Sequence, residues 1–135
     1  KVPWLVHKSS KLVKYKNIKK GSRNPGMNRN IYIDARNGVE FGNNVWIGPK
    51  VSIISMNHEL NDYTKYINEE PIRIGDNCWI GAQAIILPGV QLGNHVIVAA
   101  GAVVTKSFVE DNIAIGGNPA KIIKKLDLKM LNLDD

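Results

Sequence analysis

Cysteine is nearly missing from this chain: Cys78 is the only one in 135 residues. A lone thiol excludes an internal disulfide and suits a reducing compartment, so a cytoplasmic location is expected. Long apolar stretches are missing too. Val96 to Val104 is interrupted by Gly101 and falls far short of the ~20 residues that span a bilayer. Val2 to Val6 is too brief for a signal-peptide core. A soluble protein without integral membrane association is the expectation. Acids are absent from the amino-terminal stretch, where nine basic residues between Lys1 and Arg29 all precede Asp34. Such a cluster attracts nucleic acid, anionic lipid, acidic polysaccharide or a phosphorylated cofactor, or is simply a solvated surface. No aromatic single-strand platform and no helix-turn-helix pattern accompanies it, so no nucleic-acid partner is expected. The chain opens at Lys1 rather than methionine, which leaves its natural start open.

What is present in abundance is a six-residue period. Phe41, Ile47 and Ile53, then Ile74, Ile80, Ile86, Leu92, Val98 and Val104 recur at six-residue spacing, broken once by a 21-residue gap between Ile53 and Ile74 that contains His58, and glycine follows five of them, at 42, 48, 75, 81 and 93. With 44% apolar residues, nine hits in nine slots has odds below about one in a thousand. A 3.6-residue helical period does not fit these positions. Each hexad reads as a short strand followed by a corner, and three hexads make one coil. Coils then stack about 4.8 Å apart as parallel sheet neighbours. Ile80 is expected beneath Val98 and Ile86 beneath Val104. The fourth residue after each anchor (Val45, Val51, Cys78, Ala84, Val90, Val96, Ala102) is small or β-branched and is expected to point inward, which makes Cys78 a structural thiol rather than a nucleophile. Glycines beside the anchors are expected to permit tight corners, and His95 is expected at the surface.

One domain over 1–135 follows, with three departures from the regular prism. Residues 1–30 form a basic segment and first irregular coil, and the stretch from about Ile18 to Glu40 is expected to hold the less regular starting coils. An extruded loop occupies 57–72. A turn and short helix occupy 117–135, because Ile122, Ile123, Leu126 and Met130 fall at helical spacing and a helix would cap the open end.

Asn77-Cys78-Trp79-Ile80-Gly81, Gly101-Ala102-Val103-Val104-Thr105-Lys106 and Gly117-Asn118-Pro119-Ala120-Lys121-Ile122-Ile123 resemble the hexapeptide-repeat acyltransferases, nearest to sugar O-acetyltransferases of the galactoside, maltose, O-antigen and capsule types. The resemblance implies an all-β fold, a left-handed parallel β-helix. It also implies a homotrimer with active sites between subunits, acetyl-CoA as donor and a small-molecule or glycan acceptor. Residue by residue, it implies His58 as catalytic base and Asn28 as an acceptor-binding residue. It places the donor beside Trp79, Ala82 and Ala100, with Thr105 and Lys106 near its adenosine end and Lys121 or Lys124 as further phosphate partners. The Ala82 amide matches the position that steadies the oxyanion.

Acetyl transfer to a hydroxyl needs a base, since a free hydroxyl does not ionise near neutral pH. Neutral imidazole, with a reference pKa of about 6.5, suits the task. Its other nitrogen needs a partner, and Glu59, Glu69, Glu70 and a main-chain carbonyl stand open for that role. Tyr63 and Tyr66 offer rings to stack on a pyranose, and the basic segment from Lys8 to Lys20 suits an acidic or nucleotide-linked glycan. An amino sugar or another small acceptor is the alternative within the family. A zinc enzyme like the γ-type carbonic anhydrases needs three convergent histidines, and only His7, His58 and His95 exist, with Ala100 where a further ligand would fall; no metal is expected. A non-catalytic β-helix is the remaining rival, but it would not need the loop at His58.

Overall fold

The computed structural model describes residues 1–127. Its only helical element is a single 3-10 turn, Tyr15–Asn17. Short strands wind into a three-sided prism. The first face stacks Lys11–Val13, Tyr32–Asp34, Ser52–Ile54, Ile85–Ile86 and Val103–Val104 in parallel. On the second face lie Ile18–Lys19, Val39–Phe41, Ile72–Ile74 and Gln91–Leu92, and on the third Trp46–Ile47, Trp79–Ile80, Val96–Val98 and Ile113–Gly116. The expected stacking holds: Ile80 pairs with Val98 and Ile86 with Val104. Val51, Ala84, Val96 and Ala102 are fully buried, and Cys78 is 1% exposed. Stacking these side chains supplies the hydrophobic core that each short strand lacks alone.

Glycine proves to serve a different purpose from the one expected. The corner residue in the left-handed conformation comes three positions after the anchor, and it is Asn44, Lys50, Asn77, Gln83, Gly89, His95 or Gly101. The glycine immediately after the anchor instead lets two coils touch. A Cβ on Gly48 would stand 2.7 Å from the Ala82 nitrogen, and one on Gly81 2.7 Å from the Ala100 nitrogen. The missing side chain directly after the anchor therefore sets how closely these coils approach.

The edge between the second and third faces is held by two polar ladders. Asn43 N–H donates to Asp76, Asp76 N–H to Asn94 and Asn94 N–H to Asp111, each at 2.8 Å. Inside them, Asn44 Nδ2 donates to Asn77 Oδ1 at 2.9 Å, and His95 Nδ1 lies 2.9 Å from Asn112 Oδ1. His95 is thus buried, not at the surface as its register suggested. Its left-handed backbone turns the ring into the inner ladder, where Asn112 satisfies it.

Both ends depart from expectation. The first coil begins at Lys11, whose strand pairs with Tyr32–Asp34, rather than near Ile18. Trp4 closes that end, donating from Nε1 to the Pro25 carbonyl at 2.9 Å and meeting Tyr15 edge to face. At the other end Lys121–Lys125 is a strand, antiparallel to Ile113–Gly116, not a helix. Ile113–Gly116 would otherwise present an unpaired edge, and pairing satisfies backbone groups that a helix would leave open. Met130 lies outside the described residues.

Gly81→Ala should lower the unfolding free energy by about 2–3 kcal/mol, because the new methyl meets backbone that cannot yield. Gly101→Ala, with φ at +73° but open space around it, should cost only about 1 kcal/mol. Urea titrations of the two variants check the order; equal losses would contradict this account of the corners.

Candidate functional site

The spiral is interrupted once, at the edge between the first and second faces. After Ser52–Ile54 the chain leaves the prism, runs out as Asn57–Glu59, returns as Asp62–Ile67 and rejoins at Ile72–Ile74. The expected loop is an antiparallel hairpin, with His58 opposite Tyr66. Its root is fixed by the preceding coil. Asn37 Nδ2 donates to the Ser55 and Ile67 carbonyls, both at 3.0 Å, so one side chain holds both legs. The Asn37 N–H also donates to Ser55 Oγ at 2.9 Å. Beside it, the Arg36 guanidinium lies 5.5 Å from the Tyr66 ring centre.

Arg36 is itself locked by Asp34, from Nε and Nη2, with the shortest contact 2.6 Å. Burial pushes the Asp34 carboxyl up, but hydrogen bonds and charge from Arg36 more than offset it and hold the group below the usual carboxylate range. Asp34 therefore stays ionised and keeps Arg36 pointed at the hairpin.

The His58 ring is exposed and lies near two tyrosines, 5.3 Å from Tyr66 and 6.4 Å from Tyr63, centre to centre. Among the described residues no hydrogen bond engages either ring nitrogen, so none of Glu59, Glu69 and Glu70 orients it within one chain. Glu70 instead approaches Arg73, and Glu69 lies against Gly89. Thr105 and Lys106 occupy the same edge two coils further on, both exposed, with Lys106 Nζ 5.5 Å from the Phe108 ring centre.

The other expected site residues lie elsewhere. Ala82 and Ala100 stack at the edge between the third and first faces, joined by the Gly101 N–H donating to the Ala82 carbonyl at 2.9 Å. Among the described residues neither the Ala82 nor the Ala100 N–H has a main-chain acceptor, which leaves two donors one coil apart. Asn28 belongs to this edge as well: Nδ2 donates to the Ile47 carbonyl at 3.3 Å, and Oδ1 accepts from the Arg29 N–H. It borders a cavity of about 230 Å3 shared with Arg23 and Trp46. Trp79 stands on the third face directly over Trp46, half exposed, and Lys124 is on the strand that ends that face. Trp46 is covered by the Arg23 guanidinium at 3.5 Å, an arrangement no sequence spacing signalled. One chain therefore carries its expected site residues on two separate edges and, for Trp79 and Lys124, on the third face.

Comparison with known proteins agrees with this fold. Residues 71–106 match the family described as hexapeptide repeat of succinyl-transferase. Over 108 residues the chain is 33% identical to galactoside O-acetyltransferase of Escherichia coli (strain K12), covering 78% of this chain and 53% of that protein. A galactoside acetyltransferase solved in complex with coenzyme A superposes with a TM-score of 0.78 at 27% identity, over 93% of this chain and 63% of that one. For a hexapeptide-repeat-containing acetyltransferase of Vibrio cholerae O1 biovar eltor, solved with acetyl coenzyme A, the TM-score is 0.73 at 30% identity, over 91% of this chain and 70% of that one. The chain belongs to the hexapeptide-repeat acetyltransferase family. Its fold is that family's left-handed parallel β-helix. It spans about half the length of the curated relatives it matches.

Within this family member Cys78 is a packing residue. Its Sγ lies 3.2 Å from the Gly93 carbonyl, and burial pushes the thiol up to about 11. A group whose folded pKa is raised contributes stability that is intact below the unfolded value and lost as pH climbs toward the folded one. The stability difference between the parent and Cys78→Ala should therefore be constant below about pH 8.5 and shrink as pH rises toward 11. An aromatic disulfide reagent at pH 8 should label the thiol only after denaturation. Rapid labelling of the folded protein would contradict this role.

Proposed function

We propose that this protein is an acetyl-CoA-dependent O-acetyltransferase that acetylates a hydroxyl of a sugar or glycan precursor, with His58 as general base. One observation carries the proposal: the one break in the prism among the described residues lifts an exposed imidazole, with no hydrogen-bond partner among them, out of the coil and sets it near two tyrosines. A structural histidine needs no such excursion, and His95 exemplifies the structural kind.

The acceptor hydroxyl passes its proton to His58 as its oxygen attacks the thioester carbonyl. Charge that develops on the carbonyl oxygen falls to a main-chain donor, for which the Ala82 N–H is the candidate. The thioester C–S bond then breaks, and the imidazolium returns the proton to the departing thiolate. Tyr63 and Tyr66 present flat apolar surfaces to a pyranose ring. Thr105, Lys106 and Lys124 are the proposed contacts at the adenosine and phosphate end of the donor, Trp79 and Ala100 along its pantetheine arm, and Asn28 on the acceptor.

His58 and Ala82 lie on different edges, so the proposed site needs two copies, His58 coming from one and the donor groove from its neighbour. A closed ring of three satisfies that with three equivalent sites, and the neighbour also supplies a partner for the free imidazole nitrogen. One buried thiol and no disulfide suit a cytoplasmic enzyme. No helix among the described residues is long and apolar enough to cross a membrane.

His58→Ala should keep the oligomeric state and melting temperature while acetyl transfer falls by about 10² to 10⁴. The measurement is release of coenzyme A thiol across a panel of sugars, amino sugars and small hydroxyl acceptors. Undiminished transfer by that variant would remove the assignment, and turnover confined to the amino sugars would shift the reaction to nitrogen.

A further inference from the structure

Along the edge that carries His58, the corners follow one another in a fixed axial order. Lys14 to Asn17 come first, then Arg36 to Gly38, then the hairpin, then Leu87 to Val90, and finally Thr105 to Ser107. Neighbouring corners are separated by one coil, about 4.8 Å. His58 thus stands in the middle of the edge, with the residues assigned to the donor on its carboxy-terminal side. The amino-terminal side is left for whatever receives the acetyl group.

That side is a groove of about 680 Å3 lined by Lys14, Tyr15, Lys16, Asn17 and Arg36. Its charge is almost uncompensated. Asp34 is the only acid ion-paired to any of these five among the described residues, and its carboxylate is fully committed to Arg36. Lys14 and Lys16 have no ion-pair partner there. Nor are they randomly placed. Lys14 holds the left-handed corner position, the Asn17 N–H donates to its carbonyl at 2.9 Å, and the 3-10 turn that follows carries Lys16. The Asn17 side chain donates to the Arg36 carbonyl at 3.4 Å, which joins the two corners. Through Arg36 the groove reaches the catalytic hairpin, since the guanidinium lies against Tyr66 and Tyr66 lies against His58.

We infer that the acceptor bears an anionic group, a carboxylate or a phosphate, which Lys14 and Lys16 hold in this groove while a hydroxyl of the same sugar faces His58. This rests on the acetyl-transfer reading above. It adds the charge of the substrate and names its determinants. Two flexible ammonium groups suit a tetrahedral or planar oxyanion without demanding one shape. Neutral hexoses gain nothing from them.

The test measures equilibrium binding of galactose, galacturonate and galactose 1-phosphate to the full chain by calorimetry, alongside coenzyme A release, in the parent, in Lys14→Gln/Lys16→Gln and in His58→Ala. An anionic sugar should bind the parent about tenfold more tightly than galactose, with an advantage that falls as salt rises. The double variant should lose that advantage with its melting temperature and its affinity for galactose unchanged. Turnover should show the change in KM and not in kcat. The sugar whose affinity drops more in the double variant tells whether a carboxylate or a phosphate is the natural group. His58→Ala should bind the anionic sugar as the parent does but fail to acetylate it. Equal affinity for neutral and anionic sugars in the parent, or an advantage that survives in the double variant, would overturn the inference. Selective binding with no acetylation by the parent would uphold the anion site and overturn the transfer reading instead.

Discussion

Everything in this structure depends on how closely one coil can lie on the next. Parallel strands of two or three residues form no stable sheet by themselves; they hold because each backbone group finds its partner one coil above or below. That pairing requires corners without bulk, which is why a methyl on Gly48 or Gly81 would collide with main chain. It also requires side chains that stack in register inside a narrow prism, so Ile53, Ile86 and Val104 lie over one another with no exposure. Once those conditions are met, the interior is spoken for. Chemistry is left to the edges and to whatever leaves the spiral.

The three edges divide the work. The edge between the second and third faces is structural, laced by the Asn43–Asp76–Asn94–Asp111 and Asn44–Asn77 contacts and the His95–Asn112 pair. The first edge carries the hairpin with His58, flanked axially by the basic corners and by Thr105 and Lys106. The third carries Asn28 and the Ala82 and Ala100 amides, which lack a main-chain acceptor among the described residues. A polar ladder stiffens one side of the prism, and the other two keep donors, a base and open grooves. The proposed reaction would lack half its parts at either edge alone.

Much of the prism was legible because the core imposes a period on composition. Phe41 to Val104 at six-residue spacing and the small fourth residues dictate the coil register. Other features obeyed local physics that spacing does not encode. His95 read as an outward residue because register ignores its left-handed backbone, which turns the ring into a hydrogen-bonded ladder. Ile122, Ile123 and Leu126 satisfied helical spacing, yet an open strand edge at Ile113–Gly116 outweighed it. The glycines were visible, but their reason, contact between coils rather than a turn, was not. At the site, the gap between Ile53 and Ile74 points to an excursion, and the family resemblance singles out His58 within it. Its hairpin geometry, the Asn37 anchor and the Arg36–Tyr66 contact come from residues with no distinguishing sequence pattern.

The separation of the proposed machinery onto two edges is the central claim, and subunit complementation tests it most directly. His58→Ala and Ala82→Trp should each be inactive alone, one lacking the base and the other with a blocked donor groove. Co-expressed and purified as mixed oligomers, they should recover about a third of parental activity, because in each mixed ring of three one interface joins an intact His58 edge to an intact Ala82 edge. Mixed oligomers as inactive as either variant alone would contradict a site shared between copies.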